Sequence, residues 1–151
     1  MLIFNELSIF MLDNRQISYT IHKVVFLMDK IADQALQLKE EITLSQLRIL
    51  IAIGKKKDLT QKDIADFWEM TEAAVSRQVE NLHKGKLITI HKNEKNRREH
   101  ILKLTQAGHD SVKRAFGIVE KAHERLYREL DMEEKKVFLS VLNKLLKTIC
   151  K

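Results

Sequence analysis

Residues that break helices are almost missing from this chain: it has no proline, and only four of its 151 residues are glycine. Proline and glycine most often end helices and shape loops, so the sequence predicts long helices joined by short connections. Apolar residues make up 44% of the chain and charged residues 32%, a balance typical of a globular protein and not of a disordered one. We therefore expect a mostly α-helical fold.

An unbroken heptad pattern marks the first long helix. Asp13 is a suitable N-cap, Gln16 can complete a capping box, and the helix is expected to end near Lys39. Apolar residues recur at alternating steps of four and three, at Ile17, Ile21, Val24, Met28, Ile31, Ala35 and Leu38. This seam predicts packing against another helix, either in a second copy of the chain or within the same chain.

Shorter helices follow the heptad helix. Thr43 opens a helix that is expected to end at Gly54, interpreted as a C-cap glycine. Thr60 and Thr71 are expected to cap two further helices that are separated by a brief turn. Two short helices joined by so tight a turn are typical of a helix-turn-helix.

Strand-forming residues appear after this helix pair. The segments 87–90 and 101–104 are β-prone and flank a polar stretch, which predicts a hairpin with a long, charged tip. Thr105 is expected to cap a helix that continues to about Leu130, and a last helix begins at Asp131 or Met132. A hairpin after a helix-turn-helix predicts a winged helix-turn-helix.

The fourth helix is expected to bury one face and to offer the other to DNA. At about 100° per residue, Val75, Val79 and Leu82 fall on one side, while Arg77 and its exposed neighbours point the opposite way. The alternative is an ordinary solvated helix face. The predicted DNA-binding residues in these helices are Thr60, Gln61, Thr71, Glu72, Ala73, Ser76, Arg77, Gln78 and Lys84.

Positive charge is concentrated in the hairpin. Residues 84–103 contain seven lysines and arginines against two glutamates, in a chain whose net charge is +6. A protruding basic tip suits the minor groove of DNA, so we add Lys95, Arg97 and Arg98 to the predicted DNA-binding residues. The alternative is an edge hairpin that is kept soluble by its charges.

From Leu44 to Gly108 the chain resembles the multiple antibiotic resistance regulator (MarR) family. The motifs that carry the resemblance are Leu59-Thr60-Gln61-Lys62-Asp63-Ile64-Ala65, the segment from Thr71 to Val79, Gly85-Lys86-Leu87-Ile88 and Leu104-Thr105-Gln106-Ala107-Gly108. The family's wing usually has Asp-x-Arg seven residues before the closing threonine. Here the arginine position is Arg98, but the aspartate position is Asn96.

The resemblance implies a mostly α fold with a small β-hairpin wing, in which N- and C-terminal helices form a homodimer. The expected domains are a helical dimerisation region, residues 1–40 with 105–151, and a winged helix-turn-helix lobe, residues 41–104. Two-fold symmetry would require a palindromic operator on double-stranded DNA. The apolar surface of the long helices also favours a dimer, although these helices could instead pack on each other within one monomer.

The resemblance further implies a transcriptional repressor and a small, phenolic-type effector that relieves the repression. The residues that fit such an effector pocket by pattern are Tyr19, His22, Phe26, Leu47 and Trp68. Aromatic residues at helical spacing are also the ordinary content of a core, so both interpretations stay open. A different class of function is a winged-helix module that binds another protein and not DNA.

Enzymatic and metal chemistry find little support in the sequence. No phosphate-binding glycine loop, Cys-x-x-Cys or His-Glu-x-x-His motif occurs, so we expect no enzyme, no cofactor and no metal. His91 and His100 flank the hairpin loop and could face each other as a zinc pair, or they could simply be solvated. The single Cys150 suits a cytoplasmic protein. The apolar N-terminus is expected to be a helical extension and neither a signal peptide nor a membrane anchor.

Overall fold

The structure is a computed structural model that describes residues 13–56, 58–68, 70–93 and 100–149. The predicted mostly α fold with a small sheet is confirmed. The elements in chain order are α1 (Asn14–Glu40), α2 (Leu44–Lys55), β1 (Leu59–Thr60), α3 (Gln61–Trp68), α4 (Glu72–Lys84), β2 (Ile88–Lys92), β3 (His100–Leu104), α5 (Gln106–Glu124), a 3-10 turn (Arg125–Tyr127) and α6 (Met132–Ile149).

Side-chain caps fix where the helices begin. Asp13 caps α1 by accepting a hydrogen bond from the Arg15 amide at 2.9 Å. Thr43 and Gln46 form a reciprocal capping box at α2, in which each side chain bonds the backbone amide of the other residue. These helix starts are therefore set by local sequence, because each cap satisfies an amide that the helix leaves without a partner.

Two predicted helix ends are wrong. Gly54 lies inside the last turn of α2 and is not its C-cap, which is Lys56. Gly54 packs closely against the hairpin, because a Cβ there would lie 3.2 Å from Leu104 Cδ1. The helix after Thr105 stops at Glu124, before the predicted end at Leu130, and continues as the 3-10 turn.

The sheet has three strands, one more than the hairpin that the sequence predicts. Its order is β1-β3-β2 and both pairs are antiparallel. In the additional pair, Leu59 lies opposite Leu102 and Thr60 lies opposite Ile101. This two-residue strand pairs the start of α3 with the hairpin, so that the helix-turn-helix and the wing are joined by backbone hydrogen bonds.

The core lies between the C-terminal half of α1, helices α2 to α5 and the sheet. The buried residues of α1 are Ala32 and Leu36, which are not members of the predicted heptad seam. The N-terminal part of that seam remains exposed in the single chain, at Ile17, Ile21 and Val24. The seam therefore does not serve the internal core along this stretch.

An ion pair joins the end of α1 to α5. The Arg114 guanidinium donates two hydrogen bonds to Glu40, from Nε to Oε2 at 3.0 Å and from Nη2 to Oε1 at 2.6 Å. The Glu40 side chain is only 8% exposed. The hydrogen bond from Arg114 holds the pKa of the Glu40 carboxyl below its usual value although burial opposes this, so the pair is charged at neutral pH.

No helix in the described part of the chain is long and apolar enough to cross a membrane.

Gly108 is predicted to be indispensable for joining the wing to α5. The Thr105 amide donates to the Leu87 carbonyl at 3.0 Å, and this brings α5 so close that a Cβ at Gly108 would overlap that carbonyl oxygen. We expect Gly108→Ala to lower the free energy of unfolding by more than about 2 kcal/mol, because backbone must move to relieve the overlap. Urea denaturation followed by circular dichroism measures this change.

Gly117 provides the matched control on the same helix. A Cβ there meets nothing within 4 Å. Gly117→Ala should therefore raise the unfolding free energy by up to about 1 kcal/mol, through helix propensity alone. Equal stabilities for the two variants would contradict the proposed close approach at Gly108.

Candidate nucleic-acid interface

The start of α3 is fixed by reciprocal hydrogen bonds between Thr60 and Asp63. The Thr60 hydroxyl accepts from the Asp63 amide at 3.1 Å, and the Thr60 amide donates to Asp63 Oδ2 at 2.9 Å. The hydrogen bond from the Thr60 amide, followed by that from its hydroxyl, holds the pKa of Asp63 below its usual value. Only 9% of Thr60 is exposed and its side chain acts as the predicted cap, while its contact with DNA stays a prediction.

The buried face of α4 is the one that the sequence predicts. Val75, Val79 and Leu82 are between 0% and 1% exposed and belong to the core of the lobe. The side chain of Thr71 caps the helix by accepting from the Ala74 amide at 3.2 Å, and Gly85 is the residue after its end. The orientation of α4 about its own axis is thus set by the core.

The opposite face of α4 is exposed along its whole length. The exposed residues among those predicted to contact DNA are Thr71, Glu72, Ala73, Ser76, Arg77 and Lys84, while Gln78 and Gln61 are half-buried. Lys84 Nζ lies 2.7 Å from Glu80 Oε1 one turn earlier, and this hydrogen bond holds the pKa of Glu80 below its usual value. The Lys84 charge is therefore partly balanced on the helix itself.

The hairpin carries its basic residues away from the core. Its register pairs Ile88 with Leu104 at the base and Lys92 with His100 toward the tip. Lys92, His100 and Lys103 are exposed. The predicted minor-groove residues Lys95, Arg97 and Arg98, together with Asn96, lie outside the described residues, as does Cys150.

His91 and His100 do not face each other across the hairpin. His91 lies opposite Ile101, and His100 lies opposite Lys92. Because successive residues of a strand point to opposite faces, the two histidines are on different faces of the hairpin. No cluster of three or more potential metal-binding side chains occurs within the described ranges.

The five residues of the predicted effector pocket have very different environments in the single chain. Leu47 is 3% exposed and belongs to the core, whereas Tyr19 and Phe26 are each 67% exposed. His22 is exposed, and Trp68 is 37% exposed. The single chain does not assemble these side chains into one enclosed pocket.

Arg48 is a residue of this region that local sequence patterns do not predict. Its guanidinium contacts Asp29 of α1 and lies over the ring of Trp68 at the end of α3. Asp29 is 19 residues away in the sequence and Trp68 is 20 residues away, so neither contact leaves a local pattern. Only the packing of α1, α2 and α3 brings the three side chains together.

The capped helix pair, the outward face of α4 and the basic hairpin define a winged helix-turn-helix protein. A family model described as MarR family matches residues 41–99. The chain is 34% identical over 110 residues to the HTH-type transcriptional regulator BilQ of Clostridium symbiosum, which covers 73% of this chain and 76% of that protein. The chain belongs to the MarR family of transcriptional regulators.

Solved structures show the same fold. Wild-type MarR from E. coli in its apo form has a TM-score of 0.80 at 22% identity, covering 85% of this chain and 95% of that one. The S. aureus MepR–DNA complex has a TM-score of 0.69 at 28% identity, covering 87% of this chain and 96% of that one. The family and the fold are those of transcriptional regulators, which are not enzymes.

Substitutions on the two faces of α4 should differ in their effect on the free energy of unfolding. Val79→Ala removes two methyl groups from a fully buried position and is expected to lower the unfolding free energy by about 2 kcal/mol. Arg77→Ala on the exposed face should change it by less than about 0.5 kcal/mol. Thermal and urea denaturation of both variants measures the difference, and a similar loss for Arg77→Ala would contradict its outward orientation.

Proposed function

We propose that this protein acts as a homodimer that binds a palindromic operator in double-stranded DNA and represses transcription in the cytoplasm. The observation that carries the proposal is the exposed face of α4 beside a hairpin rich in lysine and arginine. A helix of this kind fits the major groove with its N-terminal end, and a basic hairpin fits the adjacent minor groove or the phosphates.

The dimer is supported by apolar surface that the single chain leaves uncovered. None of the described residues of α6 is buried, and α1 exposes apolar side chains along its N-terminal half. Exposed large apolar residues of α6 are Val137, Phe138, Leu139, Val141, Leu145, Leu146 and Ile149. So many exposed large apolar side chains on one helix are typical of a protein interface. We assign residues 1–40 with 105–151 to dimerisation, and residues 41–104 to DNA binding.

The chemistry of the α4 face supports base recognition. Ala73 and Ser76 are small and exposed near the start of the helix, so the backbone can approach the base edges closely. Arg77 has the geometry to donate two hydrogen bonds to guanine, and Glu72 can accept from cytosine. We further propose that Lys95, Arg97 and Arg98 bind in the minor groove, because its negative potential attracts arginine.

The solved complex of MepR with DNA supports duplex DNA as the ligand of this chain as well. The alternative is a module that binds another protein through the same hairpin. A sequence-specific, salt-dependent interaction with duplex DNA separates the two functions, because phosphate contacts release counterions and most protein contacts do not.

Selection from a random duplex library tests the proposal. We expect the purified protein to enrich an inverted repeat whose half-sites are about one helical turn apart, and to bind it with a dissociation constant on the order of 10 nM. Six to ten phosphate contacts predict a slope of about −5 to −9 for log affinity against log salt. Lack of any enriched repeat, or a flat salt dependence, would favour the protein-binding alternative.

Two arginine variants resolve which surface reads the bases. Arg77→Ala should relax the preference for guanine at one position of each half-site, whereas Arg98→Ala should weaken binding mainly through the base pairs on which the wing sits. The readout is a second selection with each variant. Unchanged base preference in Arg77→Ala would remove α4 from the proposed reading surface.

We also propose that a small phenolic-type effector relieves repression by binding between α1 and the DNA-binding lobe of the dimer. Support comes from the aromatic side chains Tyr19 and Phe26, which the single chain leaves exposed. A phenolic carboxylate that binds there should raise the melting temperature and lower DNA affinity, because it must favour one of two lobe orientations. Tyr19→Ala should abolish both effects; persistence of both would place the effector elsewhere.

A further inference from the structure

Side chains from three helices meet at the junction between α1 and the helix-turn-helix. Arg48 Nη2 of α2 lies 2.7 Å from Asp29 Oδ2 of α1. The guanidinium carbon of Arg48 lies 5.8 Å from the centre of the Trp68 ring, within the range of a cation–π interaction. Arg48 therefore connects the first long helix to the C-terminal end of α3.

A second carboxylate of α1 holds α2 at its first turn. Asp33 Oδ1 accepts a hydrogen bond from the Leu44 amide at 2.7 Å, and Asp33 Oδ2 accepts one from the Gln37 side chain. Asp29 and Asp33 are four residues apart and thus lie on the same face of α1. Two successive turns of α1 are therefore attached to α2, one through the backbone and one through Arg48.

The Asp29–Arg48 pair is not placed to contribute much to stability. The side chain of Arg48 is 39% exposed and that of Asp29 is 43% exposed. Ion pairs with this degree of exposure add little to the free energy of unfolding, because water already solvates both charges. The contact of Arg48 with Trp68 does restrict the direction of α3, because Trp68 is the last residue of that helix. Helix α4 follows after a short turn and begins at Glu72.

We propose that Arg48 is a positioning residue that fixes the orientation of α3 and α4 relative to α1. The proposal rests on the proposed function, in which α1 belongs to the dimer interface and α4 enters DNA. When the orientation is fixed before binding, both copies of α4 can meet their half-sites without the entropy cost of ordering a loosely attached lobe. Such preorganisation strengthens binding and leaves the contacts with DNA unchanged.

Trp68 gives this junction its own spectroscopic signal, because it is the only tryptophan in the chain. Its fluorescence reports the charge that lies over its ring, with no other indole to obscure it. Arg48→Lys keeps the positive charge but loses the planar guanidinium. We expect this variant, and Asp29→Asn, to shift the Trp68 emission relative to the wild-type protein.

Affinity for the selected inverted repeat tests the positioning role. Arg48→Lys should weaken binding about three- to tenfold while the melting temperature stays close to that of the wild type. Asp29→Asn gives the sharper test, because the electrostatic effect and the positioning effect change DNA affinity in opposite directions. Removing a negative charge should strengthen DNA binding by simple electrostatics, whereas loss of the Asp29 contact should weaken it.

Matched controls make the same kinds of substitution elsewhere. Asp110→Asn and Arg128→Lys change exposed residues outside the junction. We expect neither control to shift the Trp68 emission. In the double variant Asp29→Asn with Arg48→Lys, the loss of affinity should be smaller than the product of the two single losses, because both changes disrupt one connection.

The outcomes separate this inference from the proposed function. Wild-type binding to the repeat with equal or tighter binding by Asp29→Asn and Arg48→Lys would overturn the positioning role and leave DNA binding intact. An unshifted Trp68 emission in both variants would overturn the contact itself. Lack of wild-type binding to any duplex would overturn the proposed function, and the positioning role with it.

Discussion

Burial of one face of α4 is the constraint on which the rest of the DNA-binding lobe depends. Val75, Val79 and Leu82 occupy the same core as Ile64 of α3 and Leu102 of β3. Because the helix turns by about 100° per residue, fixing these three side chains also fixes every side chain on the outward face. Which side chains of α4 form the proposed reading surface is therefore a geometric consequence of hydrophobic packing.

Three interactions of different kinds attach this lobe to the long helices. The close approach of Gly108 to the Leu87 carbonyl is steric and fixes where α5 leaves the wing. The ion pair of Glu40 and Arg114 is nearly buried on its acidic side and holds the end of α1 against α5. The contact of Arg48 is half-exposed and controls direction more than stability. The first two hold the long helices against the lobe, and the third acts on the orientation of α3 and α4 relative to α1.

Local patterns predicted the helix starts and the buried face of α4, because caps and helical periodicity involve residues within a few positions of each other. Long-range features escaped prediction. Strand β1 exists only because Leu59 and Thr60 pair with a strand some forty residues later. The role of Gly54 depends on the distant Leu104, and the relation of His91 to the opposite strand depends on register.

Helix α1 performs two tasks in its two halves. Its N-terminal half keeps the heptad spacing but exposes Ile17 and Val24, and this spacing is the one that suits packing against another helix. Its C-terminal half buries Leu36 and bears the carboxylates of Asp29 and Asp33 that hold α2. In the proposed dimer, these contacts connect the interface helix α1 to α2 and, through Arg48, to α3. The packing of the two α1 helices therefore bears on the spacing of the two α4 helices.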